Sequence, residues 1–357
     1  MDIIKQSELQ KAVHQAIKFL HEQQLPSGEF RSYHSTHPTM ESDCQLDSTP
    51  FPTALIVYSL GFHNSSKVDE MTSKAIRFFL KHMEKGGVWR YWTYKHSEHK
   101  RIPPDVDDTV CVSQVLRHHK IAFPDNRDLL LANRNRENTF YTWFVPRWPP
   151  PANLSYWRVA LKTLLDPISL YFFWKITQAK PSDVDGAVNA NALFYLGVND
   201  TTKPVVDYLI GIVKENREGS CDKWHLSPFN LYYFLSRNFL NDVQLFDGIS
   251  DEIVARIEKR SNENGSIGNN LLETALACCA LINCQSSSPV LERAIDFLLK
   301  TQNESGSWQR IAMYYAGPNY GGPEQYFGWG SEELTTGFCI EALSRYSCRQ
   351  ETLQISS

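Results

Sequence analysis

The chain has 357 residues, 42% of them hydrophobic and 21% charged, with a formal net charge of −4. That apolar content fills a sizeable core and excludes extensive disorder. The small negative charge gives no long-range basic field, which excludes nucleic acid as a partner despite the basic stretch over residues 95–101.

Residues 1–6 carry no hydrophobic signal region, and no apolar run approaches the ~20 residues that a membrane-spanning helix needs, so a cytoplasmic protein is expected. Eight cysteines form no Cys-x-x-Cys pair, and several lie inside apolar helical patterns; they read as reduced and mostly buried.

Taken in chain order, the chain repeats itself. Residues 16–20 read Ala-Ile-Lys-Phe-Leu in an amphipathic helix that ends at a turn holding Gln24, Gly28 and Phe30. An apolar helix over 53–60 follows. A second amphipathic helix, at 75–80, ends at Gly86, Gly87 and Trp89, and a second apolar one starts at Thr109. The Pro-rich stretch 146–151 reads as a rigid loop rather than a domain boundary, and residues 158–178 as an outer helix. Apolar helices recur at 187–196, 271–282 and 334–346, with a further pair at 204–213 and 230–239. The amphipathic motif returns at 294–299 before Gln302, Gly306 and Trp308. Helices apolar all round belong inside, amphipathic ones outside. About six outer-inner pairs predict an all-α fold, one (α/α)6 barrel over residues 1–357, and no alternating Val/Ile segments recur to suggest a sheet.

Asp105, Asp107 and Asp108 follow Pro103 and Pro104 at the start of an apolar helix. Carboxylates this close cannot all ionise, and burial in an apolar cavity pushes their shared titration upward, so one keeps its proton near neutral pH. Alone, the motif serves equally as a proton donor or as a set of first-turn acids for the helix dipole.

The run Gln302-Asn303-Glu304-Ser305-Gly306-Ser307-Trp308 resembles the Gln/Trp motif of the squalene-hopene cyclase superfamily, and Asp105-Val106-Asp107-Asp108-Thr109 resembles its Asp-x-Asp-Asp acid motif. Triterpene cyclases have two such domains and this chain has room for one. It is therefore similar to the single-domain class II terpene cyclases of cyanobacterial meroterpenoid pathways. The resemblance implies an intramolecular lyase of the isomerase type acting on a polyprenylated aromatic acid such as a geranylgeranylated dihydroxybenzoate. It also implies that Asp107 protonates the terminal alkene while Asp105 and Asp108 hold and tune it. Squalene-hopene cyclase aims its acid with a histidine, and none stands at a matching motif position here. Asn191, on another inner helix, is the candidate for that hydrogen bond; the competing reading is a core amide bonded to backbone.

Carbocations need electron-rich walls free of nucleophiles. Aromatic residues cluster at 89–92, 140–144, 232–234 and 314–329, and Trp92, Tyr195, Tyr232, Tyr326 and Trp329 are the candidate substrate-binding rings; Trp308 is assigned to structure. The Gly-rich loop 320–329 is the candidate cover of the cavity mouth.

No cofactor is expected, Mg2+ entering only with an anionic or diphosphate head group. The Asp-Asp-x-x-Asp metal motif, a Cys/His zinc set and a nucleotide loop are all missing, and Asp183 and Asp185 read as a helix start rather than a metal pair. The expected partner is a hydrophobic polyprenyl molecule, with transient contact at a membrane surface. The other readings are a class II cyclase of a linear prenyl diphosphate and a non-catalytic (α/α)6 carrier or interaction protein.

Overall fold

A computed structural model describes residues 3–37, 39–242, 246, 248–317 and 326–356. The chain opens with α1 (Ile3–Gln23), whose Leu9, Val13, Ala16, Ile17 and Leu20 recur at helical spacing and are buried. Two short strands, β1 (Ser32–Ser35) and β2 (Gln45–Asp47), lead to α2 (Pro50–Leu60), which prolines start and which is apolar on every side. Ser65 caps α3 (Ser66–His82), which buries Val68, Met71, Ala75, Phe78 and Phe79 along one face. Asp105 caps α4 (Val106–His118) by accepting from the Asp108 N–H. The short helices α5 (Arg127–Leu131), α6 (Leu154–Ala160) and α7 (Pro167–Ile176) lead to α8 (Gly186–Leu196). There follow α9 (Lys203–Lys214), α10 (Pro228–Ser236), α11 (Phe239–Asp242), α12 (Ile249–Glu258), α13 (Leu271–Asn283) and α14 (Pro289–Lys300). Strands β3 (Ala312–Ala316) and β4 (Phe327–Gly330) precede the last helix, α15 (Glu332–Ser356).

Six helices pack neighbour to neighbour in a closed ring, in the order α2, α4, α8, α10, α13, α15 and back to α2. These are the apolar helices, and every residue of α13 is buried. Outside them, α3 lies against α2 and α1, α9 against α8 and α12, and α14 against α13 and α1. A helix with one apolar stripe needs one partner face, whereas a helix apolar all round must be enclosed; the two sequence classes therefore sort outside and inside.

One hydrogen bond recurs where an outer turn meets the next ring helix. The N–H groups of Phe30, Trp89, Ile267 and Trp308 donate to the hydroxyls of Thr53, Thr109, Thr274 and Thr336 at 3.0, 3.1, 2.9 and 3.2 Å, and Phe140 donates to the Asn189 side chain at 2.8 Å. These groups are buried, and leaving any one unpaired costs about 1–3 kcal/mol. Gln24 and Gln302 close two of the turns by donating to the carbonyls of Gly28 and Gly306. The indoles of Trp89 and Trp308 donate to Phe79 and Leu298, so Trp308 is structural, as its motif suggests. Gly306 holds φ +88°, and a Cβ there would collide with the Gln15 carbonyl, which leaves glycine as the fitting residue.

Two sequence expectations are corrected. The protein is not all-α: the strands form an antiparallel sheet in the order β2-β1-β4-β3. Three to five residues per strand are too few to show an alternating period, and they lie in connections that read as turns. The sheet covers the ring where the inner helices start, with Tyr314 edge-on to Phe51 at 5.7 Å and Asn230 of α10 donating to the Met313 carbonyl. The outer helix expected over 158–178 is broken into α6, a 3-10 turn (Leu161–Leu165) and α7, because Asp166 and Pro167 restart the chain as a cap and a first-turn proline. Cys111, Cys221, Cys278, Cys279 and Cys339 are buried thiols, while Cys348 is exposed. No helix among the described residues is long and apolar enough to cross a membrane.

Candidate active site

The three acids sit where α4 begins, and the fold gives each a different environment. Asp105 is buried and spends one oxygen on the Asp108 N–H at 2.8 Å. Its strand-like backbone lies beside Trp143, and the Val106 N–H donates to the Thr142 carbonyl, which laces the start of α4 to the segment between α5 and α6. Burial pushes Asp105 up to about 7, with the neighbouring Asp107 charge adding to it against the hydrogen bonds from Asp108. Asp108 is raised well above the usual carboxyl range by burial and then by the charges of Asp105 and Asp107; its Oδ1 has no hydrogen-bond partner.

Asp107 is the acid that reaches into the ring. Its Oδ1 accepts a 2.6 Å hydrogen bond from the Asn191 amide of α8, and its Oδ2 lies 3.7 Å from His225 Nε2. Asn191 is held in turn by Arg237, whose guanidinium donates to the amide oxygen and thereby fixes which end of the amide faces Asp107. Arg237 is buried among four rings, its guanidinium carbon 5.0, 4.8, 5.1 and 5.0 Å from the centroids of Tyr58, Phe194, Tyr233 and Phe234. A guanidinium is weakly hydrated and always charged, and aromatic faces offset part of its burial cost. A cavity of about 10 Å³ lies between Asn191, Cys111 and Arg237, room for one water and no more.

On the other side of Asp107 the walls are rings. His225 packs against Phe51, Phe234 and Tyr314 at 6.1, 5.2 and 5.8 Å, and its Nδ1 has no hydrogen-bond partner. Asp222 holds it through the His225 N–H at 2.8 Å. The sheet register sets Tyr314 beside Trp329, their rings nearly parallel at 7° and 6.1 Å apart, and Tyr91 meets both edge-on while sharing a 2.9 Å hydroxyl contact with Tyr314. Trp329 donates its indole N–H to Asp47, which His34 and His96 also contact at 3.0 and 3.1 Å.

The expected rings thus divide. Trp329 belongs to the cluster, and Trp92 adjoins it, stacked on His96 at 4.7 Å with its buried N–H unpartnered. Tyr326 accepts from Gln178 just before β4. Tyr195 and Tyr232 are not brought to Asp107: the first donates to Asn126 under the Arg117 guanidinium, the second to Glu218. Both lie on apolar helices, but their hydroxyls found polar partners between helices rather than a cavity. Of the proposed cover loop 320–329, residues 320–325 lie outside the described residues. Asp183 pairs with Lys223, and Asp185 accepts from Thr142.

Two residues of this cluster escaped the sequence reading. His225 lies in the loop before α10, where no motif marks it. Arg237 did leave a signal, a lone cation directly after the aromatic run of α10.

Neither a protein-family model nor a curated protein matches the sequence. Solved structures do. Type II terpene cyclase MstE from Scytonema, in a variant holding its substrate geranylgeranyl dihydroxybenzoate, aligns at TM-score 0.72 and 14% identity over 98% of this chain and 99% of that one. The same cyclase without ligand gives 0.70 at 15% identity, over 96% and 99%, and a protein from Actinoplanes gives 0.67 at 14%, over 94% and 99%. From end to end, the chain has the fold of the type II terpene cyclase MstE.

Proposed function

We propose that this chain is a class II terpene cyclase, with Asp107 as its general acid, built as a single (α/α)6 barrel domain over residues 1–357 and acting in the cytoplasm. The observation that carries the reading is the Asp107 carboxyl, one oxygen fixed by the Asn191 amide at 2.6 Å and the other turned toward an aromatic cluster. The Asp-x-Asp-Asp and Gln/Trp motifs point the same way. The substrate is a linear polyprenylated aromatic acid of the kind that MstE takes, and the reaction is an isomerisation that needs no cofactor.

An alkene is a very weak base, so its proton donor must be strong, oriented and dry. Proton transfer from Asp107 Oδ2 to the terminal double bond leaves a tertiary carbocation on the chain and a carboxylate on Asp107. The Asn191 N–H stabilises that carboxylate as it forms, and Arg237 polarises the amide from behind, so the donor is pre-organised before the charge appears. The first-turn N–H groups of α4 add to this. Burial keeps Asp108 protonated at neutral pH and leaves Asp105, pushed up to about 7, only part of its charge. The cation then passes through successive ring closures among the faces of Tyr91, Tyr314, Phe51 and Trp329. Attack by the aromatic head group or loss of a proton ends the sequence and restores the proton balance.

Asp107→Asn tests the reading. The expected result is loss of cyclisation of geranylgeranyl dihydroxybenzoate with binding retained. Turnover near the wild-type rate would place the acid elsewhere, and a wild-type protein that binds prenylated aromatics without changing them would be a carrier.

A further inference from the structure

A buried carboxylate adjoins the ring cluster. Asp47 ends β2, and the register of the sheet sets it on the same face as His34 of β1 and Trp329 of β4. Its side chain is 1% exposed and collects three ring N–H groups: the Trp329 indole at 2.7 Å and His34 at 3.0 Å on one oxygen, His96 at 3.1 Å on the other. Burial works against the charge, but the hydrogen bonds from His34 and Trp329 outweigh it and hold this carboxyl below its usual range.

What sets Asp47 apart is the kind of partner it has. Elsewhere a buried acid meets a permanent cation: Glu341 pairs with Arg345 at 3.0 Å, Glu218 with Arg256 and Asp183 with Lys223. The partners described for Asp47 are two imidazoles and an indole. Wherever imidazole is neutral, the carboxylate therefore keeps its negative charge inside the protein. A buried charge without a counter-charge is costly to hold. It is of use where the site must receive a cation, because a fixed charge of opposite sign then needs no reorganisation.

The position fits that use. From Asp107 the contacts run through His225 at 3.7 Å, Tyr314 at 5.8 Å and Trp329 at 6.1 Å to Asp47, so the two carboxyls stand at the two ends of one chain of rings. Burial pushes the Tyr91 and Tyr314 phenols up, and the charges of both Asp47 and Asp108 add to it, so Asp47 is felt throughout the cluster. After protonation of the alkene, positive charge starts beside the Asp107 carboxylate and moves away from it with each ring closure. Separating opposite charges in a dry site is uphill, and a second fixed anion further along offsets the climb. An indole whose N–H is held by a carboxylate presents a more electron-rich face, and indole is already the best ring for a cation. Both Asp47 oxygens are engaged by donors, which keeps the carboxylate from attacking the cation itself. We infer that Asp47, acting through the Trp329 indole, is the fixed counter-charge that holds the carbocation at the end of the ring cluster away from Asp107. It is a positioning residue, and the inference rests on the cyclase reading.

The experiment uses the full chain at about pH 8, above the usual imidazole range. Calorimetric titration compares dodecyltrimethylammonium, a permanent cation on an apolar chain, with neutral dodecanol. Asp47→Asn keeps an acceptor for the indole and removes the charge. It is expected to weaken binding of the cation about 10-fold and of the alcohol by less than about twofold. With geranylgeranyl dihydroxybenzoate, the same variant should raise the share of partly cyclised product, released by early proton loss, by about the same 10-fold factor. Asp47→Glu, which keeps the charge, should retain the preference for the cation. In a Trp329→Phe protein, Asp47→Asn should change the cation's affinity by less than about twofold, because its effect travels through the indole. A melting curve checks that each variant is folded. Equal loss of both probes in Asp47→Asn overturns the proposal and makes Asp47 a latch of the sheet; an undiminished effect in the Trp329→Phe protein overturns the route through the indole. Failure of the cyclase reading alone would show differently: a selective loss of cation binding in Asp47→Asn, and no turnover by the wild type.

Discussion

Replacing Asn191 by Leu removes the 2.6 Å donor to Asp107 and the acceptor that holds Arg237 while keeping the number of side-chain heavy atoms. A hydrogen bond to a forming carboxylate is worth about 1.5–3 kcal/mol. Since 1.36 kcal/mol is a factor of ten in rate, kcat should fall ~10- to 150-fold. KM should stay nearly constant, because the amide lies behind the acid, on the side of the 10 Å³ cavity, and does not face the aromatic cluster. Stability also falls, by about 1–3 kcal/mol, as a buried guanidinium loses a partner. Single-turnover cyclisation at a temperature where circular dichroism shows the variant folded separates the two effects. Because Arg237 acts through Asn191, adding Arg237→Met to Asn191→Leu should cost little further rate, whereas Arg237→Met alone should slow turnover. A folded Asn191→Leu protein within about threefold of the wild-type kcat would refute the idea that this amide supports the acid.

Other expectations follow from the same geometry. Asp105 titrates near 7 in the folded protein against 3.8 ordinarily, so the folded state holds a proton there that the unfolded chain has lost. That contribution to stability is complete below about pH 4 and disappears as pH rises through about 7, with a slope of up to about 1.4 kcal/mol per pH unit. Asp105→Asn, which keeps a capping side chain, should therefore gain melting temperature relative to the wild type across this window; a constant difference would contradict the assignment. Gly306→Ala should lower stability by about 2 kcal/mol or more in denaturant titration, because φ +88° and the Gln15 carbonyl both oppose a Cβ. EDTA should leave turnover of the prenylated aromatic acid unchanged; metal-dependent turnover would point to a diphosphate head group.

The sequence carried the two helix classes, their alternation and the acid motif, because each rests on local periodicity or on a contiguous run of residues. It carried the Asn191 contact as one of two readings, since a helix position alone does not say whether an amide finds backbone or a side chain. The sheet was illegible: its strands pair across nearly the whole chain, Tyr33 with Gly330 and His34 with Trp329, and neither side shows an alternating period. His225 was hidden for a similar reason, coming from a loop whose path is set by Asp222 and by the rings it lands among. Tyr195 and Tyr232, expected as lining on aromatic content alone, commit their hydroxyls to polar partners in a helix seam, which aromatic content does not foretell.

In four of its five occurrences, all but that at Thr336, the recurring bond from an outer turn to a ring helix lies at a fixed distance from the helix start. Counting back four residues from the clamps Thr53, Thr109, Asn189 and Thr274 reaches Thr49, Asp105, Asp185 and Asn270, each at the N-cap of its helix. Counting back two reaches Phe51, Asp107, Ala187 and Leu272. At that shared position three copies place an apolar side chain and one places a carboxyl. The acid therefore occupies a position that the other three copies give to the core, where Phe51, Ala187 and Leu272 are buried. By the same measure, Asp105 is an ordinary cap recruited by its neighbours. A search for such acids in other repeat barrels would do better to compare equivalent positions between copies, looking for the one polar exception, than to scan for a motif.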